Sequence, residues 1–150
     1  IIGRGHMKKA LLKTAEELGV AHAVFIKSGM SFEDIAQHYR SADLVVYPSY
    51  YEGQGLIPLE ALASGTPVVT VDQPPLTEMV DDTVGGLFDR GDYSGMAKVV
   101  CDELNGSVQR LKKAKAGRKR VLEAFTCEGN AELYEDVFQR SVQKRHWRDK

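Results

Sequence analysis

Cysteine and tryptophan are scarce in this sequence, no apolar run is long, and neither sign of charge dominates. The 150 residues include two cysteines, Cys101 and Cys127, and one tryptophan. Two cysteines cannot build a disulfide framework or a cysteine-based metal set. Both fall in helix-like sequence and read as buried or half-buried thiols in a reducing compartment. No apolar run approaches the ~20 residues that a transmembrane helix needs. Ile1-Ile2-Gly3-Arg4-Gly5 lacks the long apolar core and small-residue cleavage site of a signal peptide. Asn105-Gly106-Ser107 matches a glycosylation acceptor pattern, but nothing else in the sequence points to secretion, so a cytoplasmic location is expected. With 20 Lys and Arg against 21 Asp and Glu, the formal net charge is -1, which excludes a global field drawing the chain to nucleic acid or an anionic membrane. The four histidines, His6, His22, His38 and His146, share no spacing typical of a metal site or a catalytic triad, so no metal or other cofactor is expected.

What is present is an ordinary soluble balance, 43% apolar and 27% charged, in a length that suits one domain with a hydrophobic core. Apolar residues recur at helical spacing over 7–18, and Gly19 stops the run. Residues 23–26, 44–47 and 67–71 are short continuous apolar runs, read as buried strands, and 85–88 reads as a turn with a short strand. Ser31, followed by Glu33 and Asp34, opens a helix to about Ser41. Further helices are expected over 57–63, 75–80, 92–104 (capped by Asp92), 107–125 and 131–142. Ile1-Ile2 before Gly-x-Gly reads as a strand end entering the first helix. Strands that alternate with helices and are apolar throughout predict an α/β fold: a Rossmann-like parallel sheet with helices on both faces. The basic stretch Arg110, Lys112, Lys113, Lys115, Arg118, Lys119, Arg120 contains no acid and reads as a solvated helix face.

The chemistry concentrates between 47 and 71. The strand ending at Tyr47 is stopped by Pro48-Ser49. A turn, Glu52-Gly53-Gln54-Gly55-Leu56, then leads into a helix carrying Glu60. In parallel sheets ligands bind beyond the carboxyl ends of the strands, where Glu52 falls. Glycines expose backbone N–H groups, and a helix start adds more of them with a positive dipole end. Pro58 fits near that start, where a missing N–H costs little. Such a site suits a diphosphate. An ionised glutamate accepts hydrogen bonds from paired hydroxyls. Glu52 and Glu60 on either side of the N–H cluster therefore suit a ligand with a hydroxylated ring at each end of a diphosphate, which is a nucleotide sugar. Read singly, each acid also fits an ordinary surface position. Leu59, Leu62 and Ala63 read as core, Tyr50 and Tyr51 as packing or rim, and Ser49 as a turn former, since no histidine is placed to activate it.

The segment Tyr47 to Val71 resembles the E-x7-E signature of retaining glycosyltransferases of the GT-B fold, in the group 1 type known as family 4. Pro-Ser, Glu-Gly-x-Gly-Leu, Leu-Glu-Ala and Gly-x-Pro-Val-Val follow in order. Ile2-Gly3-x-Gly5 and Tyr39-Arg40-Ser41-Ala42-Asp43 fit upstream, and Thr77-Glu78-Met79-Val80, Gly85-Gly86-Leu87-Phe88 and Gly91-Asp92 fit downstream. The resemblance implies the carboxyl-terminal, donor-binding domain of a hexosyltransferase. It implies that Glu60 binds ribose hydroxyls, that Glu52 holds hydroxyls of the transferred sugar, and that amides of Gly53, Gln54, Gly55 and Leu56 contact the sugar and distal phosphate. Ser28-Gly29-Met30 takes the place of the nucleobase cradle, with serine where the family usually has glycine. The family's diphosphate-neutralising Arg and Lys have no match; Arg4 and Lys8 fall elsewhere. One domain over 1–150 is thus expected to be a piece of a longer protein, without its first strand or strands and its amino-terminal acceptor domain. Alone it should bind donor weakly and transfer nothing. The full-length enzyme could still lie peripherally at a membrane. Two rivals stand beside this reading: a non-catalytic nucleotide-binding or assembly module, and a GT-B nucleotide-sugar epimerase.

Overall fold

The computed structural model describes residues 1–148, with side chains described through residue 143; the side chain of His146 lies outside the described residues. The chain divides into two compact units, Ile1–Ile35 and Ala36–Lys150.

In the first unit, helix α1 (Lys8–Glu17) is followed by Gly19 in the left-handed region, φ 71°, as the sequence leads one to expect. The strand expected over 23–26 does not form. Residues Ala21–Ala23 make a single 3-10 turn, and the extended chain beyond it pairs only with Ile1–Gly3. That partner supports one parallel bridge, Ile2 to Lys27, with Lys27 N–H donating to the Ile1 carbonyl and Gly3 N–H to the Lys27 carbonyl, both at 2.9 Å. Helix α2 (Phe32–Ser41) opens as expected: the Ser31 hydroxyl accepts from Asp34 N–H at 3.1 Å and donates to the Asp34 carboxylate at 2.7 Å.

The second unit holds a three-stranded parallel sheet, β1 (Val45–Tyr47), β2 (Val68–Val71) and β3 (Gly85–Phe88), in that order. The register pairs Val45 with Val68 and Val68 with Gly85. Helix α3 (Leu56–Ala63) joins β1 to β2, and α4 (Leu76–Met79) joins β2 to β3. All four residues of β2 are buried. Successive strand side chains point to opposite faces, so both faces of the sheet are covered at β2, which explains its apolar run, while Val46 of the edge strand β1 is exposed. The core gathers Leu59 and Leu62 of α3, β2, Leu76 and Met79 of α4, and Phe88. Among the described residues, no helix is long and apolar enough to cross a membrane.

Helices α5 (Tyr93–Asn105), α6 (Ser107–Ala124) and α7 (Cys127–Arg148) complete the chain. The last begins four residues before its expected start at 131. Cys101 and Cys127 are both exposed, not buried or half-buried: Cys101 lies on a solvent-facing position of α5, and Cys127 is the first residue of α7.

The basic stretch of α6 is only partly a solvated face. Lys112, Lys115 and Lys119 are exposed. The other four cations reach carbonyls that helix and strand ends leave without partners. Arg110 donates to the Leu104 carbonyl at 2.7 Å, at the end of α5, and to Asp43 at 2.9 Å. Arg118 donates to the Ala63 carbonyl at the end of α3, and Arg120 to the Met79 carbonyl at the end of α4, at 3.1 Å. Lys113 joins the Gly85 carbonyl at 2.8 Å and pairs with the carboxylate of Glu103. The last turn of a helix leaves carbonyls unbonded and carries a negative dipole end, so cations satisfy it twice over. Helical periodicity alone cannot show this, because the acceptors belong to other elements. Gly117 permits the approach: a Cβ there would stand 2.6 Å from Leu62 Cδ2. At the end of α4, burial pushes the Asp81 carboxyl up, but hydrogen bonds from Arg120 and Thr83 outweigh it and bring the group down to about 2.

Candidate functional site

Pro48 ends β1, and the chain turns across the carboxyl ends of the strands. Loops from all three strands meet there. Gln73, beyond β2, donates its side-chain amide to the Tyr50 carbonyl at 2.6 Å. Gly91, beyond β3, donates its N–H to the Tyr50 hydroxyl at 3.2 Å. Arg90 donates to the Tyr51 hydroxyl at 2.9 Å, and its guanidinium lies 5.0 Å from both tyrosine ring centroids. Tyr50 and Tyr51 are thus rim residues, as expected, and they also moor the turn that follows.

That turn places Gly55 at φ 92°, ψ 64°, directly before α3. A side chain at Gly55 would be strained by the left-handed backbone, and its Cβ would meet Leu76 Cδ2 and Met79 Cε at 2.9 Å. Gly53 differs: nothing lies within 4 Å of a Cβ built there. The fold requires glycine at 55 and leaves 53 open. No side chain caps the first turn of α3. Its leading N–H groups, with Gly53 and Gln54 exposed beside them, are therefore not closed by a cap from the protein. Pro58 lies buried within this first turn.

Both glutamates are held by tyrosine hydroxyls. The half-buried Glu52 accepts from Tyr47 and from Ser49, the latter at 2.6 Å, both on Oε1. The Ser49 and then the Tyr47 hydrogen bond hold the Glu52 carboxyl below the usual glutamate range. Burial first, then Glu52, pushes the Tyr47 hydroxyl up, so it stays protonated and donates. Glu60 is exposed on α3 and accepts from the Tyr39 hydroxyl at 3.0 Å. Burial, then the bond to Glu60, pushes Tyr39 well above the ordinary tyrosine range. Tyr39 is fixed from its other end by Thr66, whose hydroxyl donates to the Tyr39 carbonyl at 2.5 Å.

The segment from Tyr47 to Glu60 therefore runs from the end of β1 through the turn into α3, with Glu52 in the turn and Glu60 on the helix. Ser28, Gly29 and Met30 belong to the first unit. Ser28 and Gly29 are exposed there, Met30 is half-buried, and Gly29 is left-handed at φ 70°. A cavity of about 260 Å³ within that unit is lined by Arg4, Lys8 and Ser28 among others. Among the described residues no group of three or more His, Cys, Asp or Glu could hold a metal ion. Sequence reasoning missed Tyr39 and Tyr47 and gave Ser49 only the role of turn former. The spacing of Ser49, three residues before Glu52, was a usable signal. Tyr39, on another helix, carried none.

The family described as glycosyl transferases, group 1, matches residues 1–120. A D-inositol 3-phosphate glycosyltransferase of Nocardia farcinica is 38% identical over 129 residues, 83% of this chain and 29% of that protein. An MMP alpha-(1->4)-mannosyltransferase of Mycolicibacterium hassiacum is 31% identical over 87% of this chain and 32% of its own length. The chain thus spans about a third of the curated relatives it matches. Among solved structures, a sucrose-phosphate synthase from Thermosynechococcus elongatus aligns over 93% of this chain and 35% of its own, with a TM-score of 0.82 and 26% identity. TarM of S. aureus, solved with UDP among its ligands, aligns over 92% of this chain and 28% of its own, with a TM-score of 0.81 and 28% identity.

Proposed function

Because the chain belongs to the group 1 glycosyl transferases, we propose that it is the donor-binding domain of a retaining hexosyltransferase of family 4, carboxyl-terminal in its parent enzyme. The donor is a nucleotide diphosphate sugar. The observation that carries this reading is the uncapped start of α3 between two carboxylates, each fixed by a tyrosine hydroxyl.

The diphosphate meets the N–H groups of Gly53, Gln54, Gly55 and Leu56, whose positive end stabilises charge as it develops on the leaving group. Glu60 accepts from the ribose hydroxyls. Glu52 accepts from hydroxyls of the sugar and positions it; its depressed basicity suits an acceptor that stays ionised rather than an acid that delivers a proton. Ser28, Gly29 and Met30 are the residues assigned to the nucleobase. Cations for the diphosphate and the acceptor-binding surface come from the rest of the parent protein, of which relatives have about twice as much again. The site works in the cytoplasm.

Calorimetric titration with UDP, GDP and ADP tests this reading. One of the three should bind, and Glu60→Ala should weaken it by about 1.5–3 kcal/mol, the cost of a lost charged hydrogen-bond partner. A folded chain that binds none of them would favour a non-catalytic module, and unchanged affinity in Glu60→Ala would remove the ribose assignment.

A further inference from the structure

Glu52 Oε1 receives two hydroxyl donors, from Tyr47 and Ser49, while among the described residues none is directed to Oε2. The donors are themselves fixed. Tyr47 is the last residue of β1, its carbonyl accepts from the Thr70 hydroxyl at 2.7 Å, and its ring packs against the core. Pro48 then restricts the backbone between Tyr47 and Ser49. A glutamate side chain in a loop ordinarily samples several rotamers, and holding it in one geometry removes that freedom before a ligand arrives. No salt bridge among the described residues includes Glu52, so the two hydroxyls are what hold it.

We propose that Tyr47 and Ser49 are positioning residues that lock Glu52 through Oε1, so that Oε2 is the single oxygen offered to the donor sugar. The proposal rests on the reading of Glu52 as the sugar-binding acid. A carboxylate presented by one fixed oxygen reads the position of one hydroxyl, where a free carboxylate would adapt to several. Tyr47 and Ser49 therefore act on discrimination between sugars that differ at that hydroxyl, and leave nucleotide binding alone.

The test reads Glu52 itself. In a chain carrying ¹³C-glutamate, Tyr47→Phe and Ser49→Ala should each raise the midpoint of the Glu52 carboxyl titration. The double variant should also bring its two γ-methylene protons toward a common shift, as rotamer freedom returns. Ser49→Thr keeps the hydroxyl and should restore both signals. A Glu52 resonance unchanged in the double variant overturns the proposal. Calorimetry with UDP and UDP-glucose as probes adds a second arm. The double variant should lose about fivefold in affinity for UDP-glucose, one ordinary hydrogen bond's worth, with UDP unchanged. Equal loss for both probes, or none for either, also overturns it. If the unaltered chain takes up neither probe, the Glu52 spectrum decides this inference by itself; the proposed function is lost only if GDP and ADP fail to bind as well. Each single variant is compared by thermal melting, and Tyr47→Phe keeps the ring that packs on the core.

Discussion

Helices α3 and α5 both start close to the carboxyl edge of the sheet, yet they begin in opposite ways. Helix α5 is closed by its own chain: Asp92 accepts from Gly95 N–H at 2.8 Å, a side-chain cap of the ordinary kind. Helix α3 starts behind Gly55 with no side-chain cap at all. The cap satisfies one of the leading donors of α5 and closes that end with the chain's own carboxylate. An uncapped start, in a turn moored to Gln73, Arg90 and Gly91, is fixed in space while its donors stay free. The difference separates a helix end that its own chain caps from one that no side chain caps, which is the end the proposed function assigns to the diphosphate.

The strongest way to break this contrast is Gly55→Ala. It forces an L side chain into a left-handed backbone, about 1–2 kcal/mol, and overpacks Leu76 and Met79 by about 1–3 kcal/mol. Urea unfolding should show a loss on the order of 3 kcal/mol, and a loss under about 0.5 kcal/mol would mean that the turn relaxes freely. Asp92→Ala comes next: removing the cap of α5 should cost about 1 kcal/mol in the same measurement and leave the affinity for the nucleotide that binds unchanged. A matching drop in affinity would show that the two helix starts are not independent. The smallest effect on stability belongs to Gly53→Ala, within about 0.5 kcal/mol of the parent, since its Cβ meets nothing within 4 Å. If the proposed site is right, the same substitution should weaken nucleotide binding measurably, because the added methyl would stand beside the amides assigned to the phosphate. Unaltered affinity would remove Gly53 from the site.

Much of the fold could be read from residue patterns because the decisive forces are local or periodic. Val68–Val71 is apolar throughout, and it is the strand buried on both faces. Ser31, Asp92 and Gly19 marked helix ends through chemistry that operates within a few residues. The strand expected at 23–26 failed because a strand depends on its partner, and only Ile1–Gly3 pairs with it. The site divides in the same way. Glu52, the glycine turn and Glu60 are contiguous in sequence and follow a strand, so their spacing carried the information. Tyr39 reaches Glu60 across 21 positions, and Arg90 reaches Tyr51 across 39. Contacts at such separations leave no local trace. The solvated face expected for Arg110 to Arg120 held only in part for the same reason: a basic helix face looks alike whether it meets water or the carbonyls of other elements.

Those cations also tie α6 to the rest of the fold. The sheet is complete at Phe88, and a design that trimmed the chain after α5 would keep every strand. It would nonetheless strip the partners from the last carbonyls of three helices and from Gly85 at the head of β3. A shorter version of this domain therefore has to keep α6 past Arg120, since the next residue, Val121, is itself part of the buried core. The family match covers residues 1–120 and ends at that same arginine.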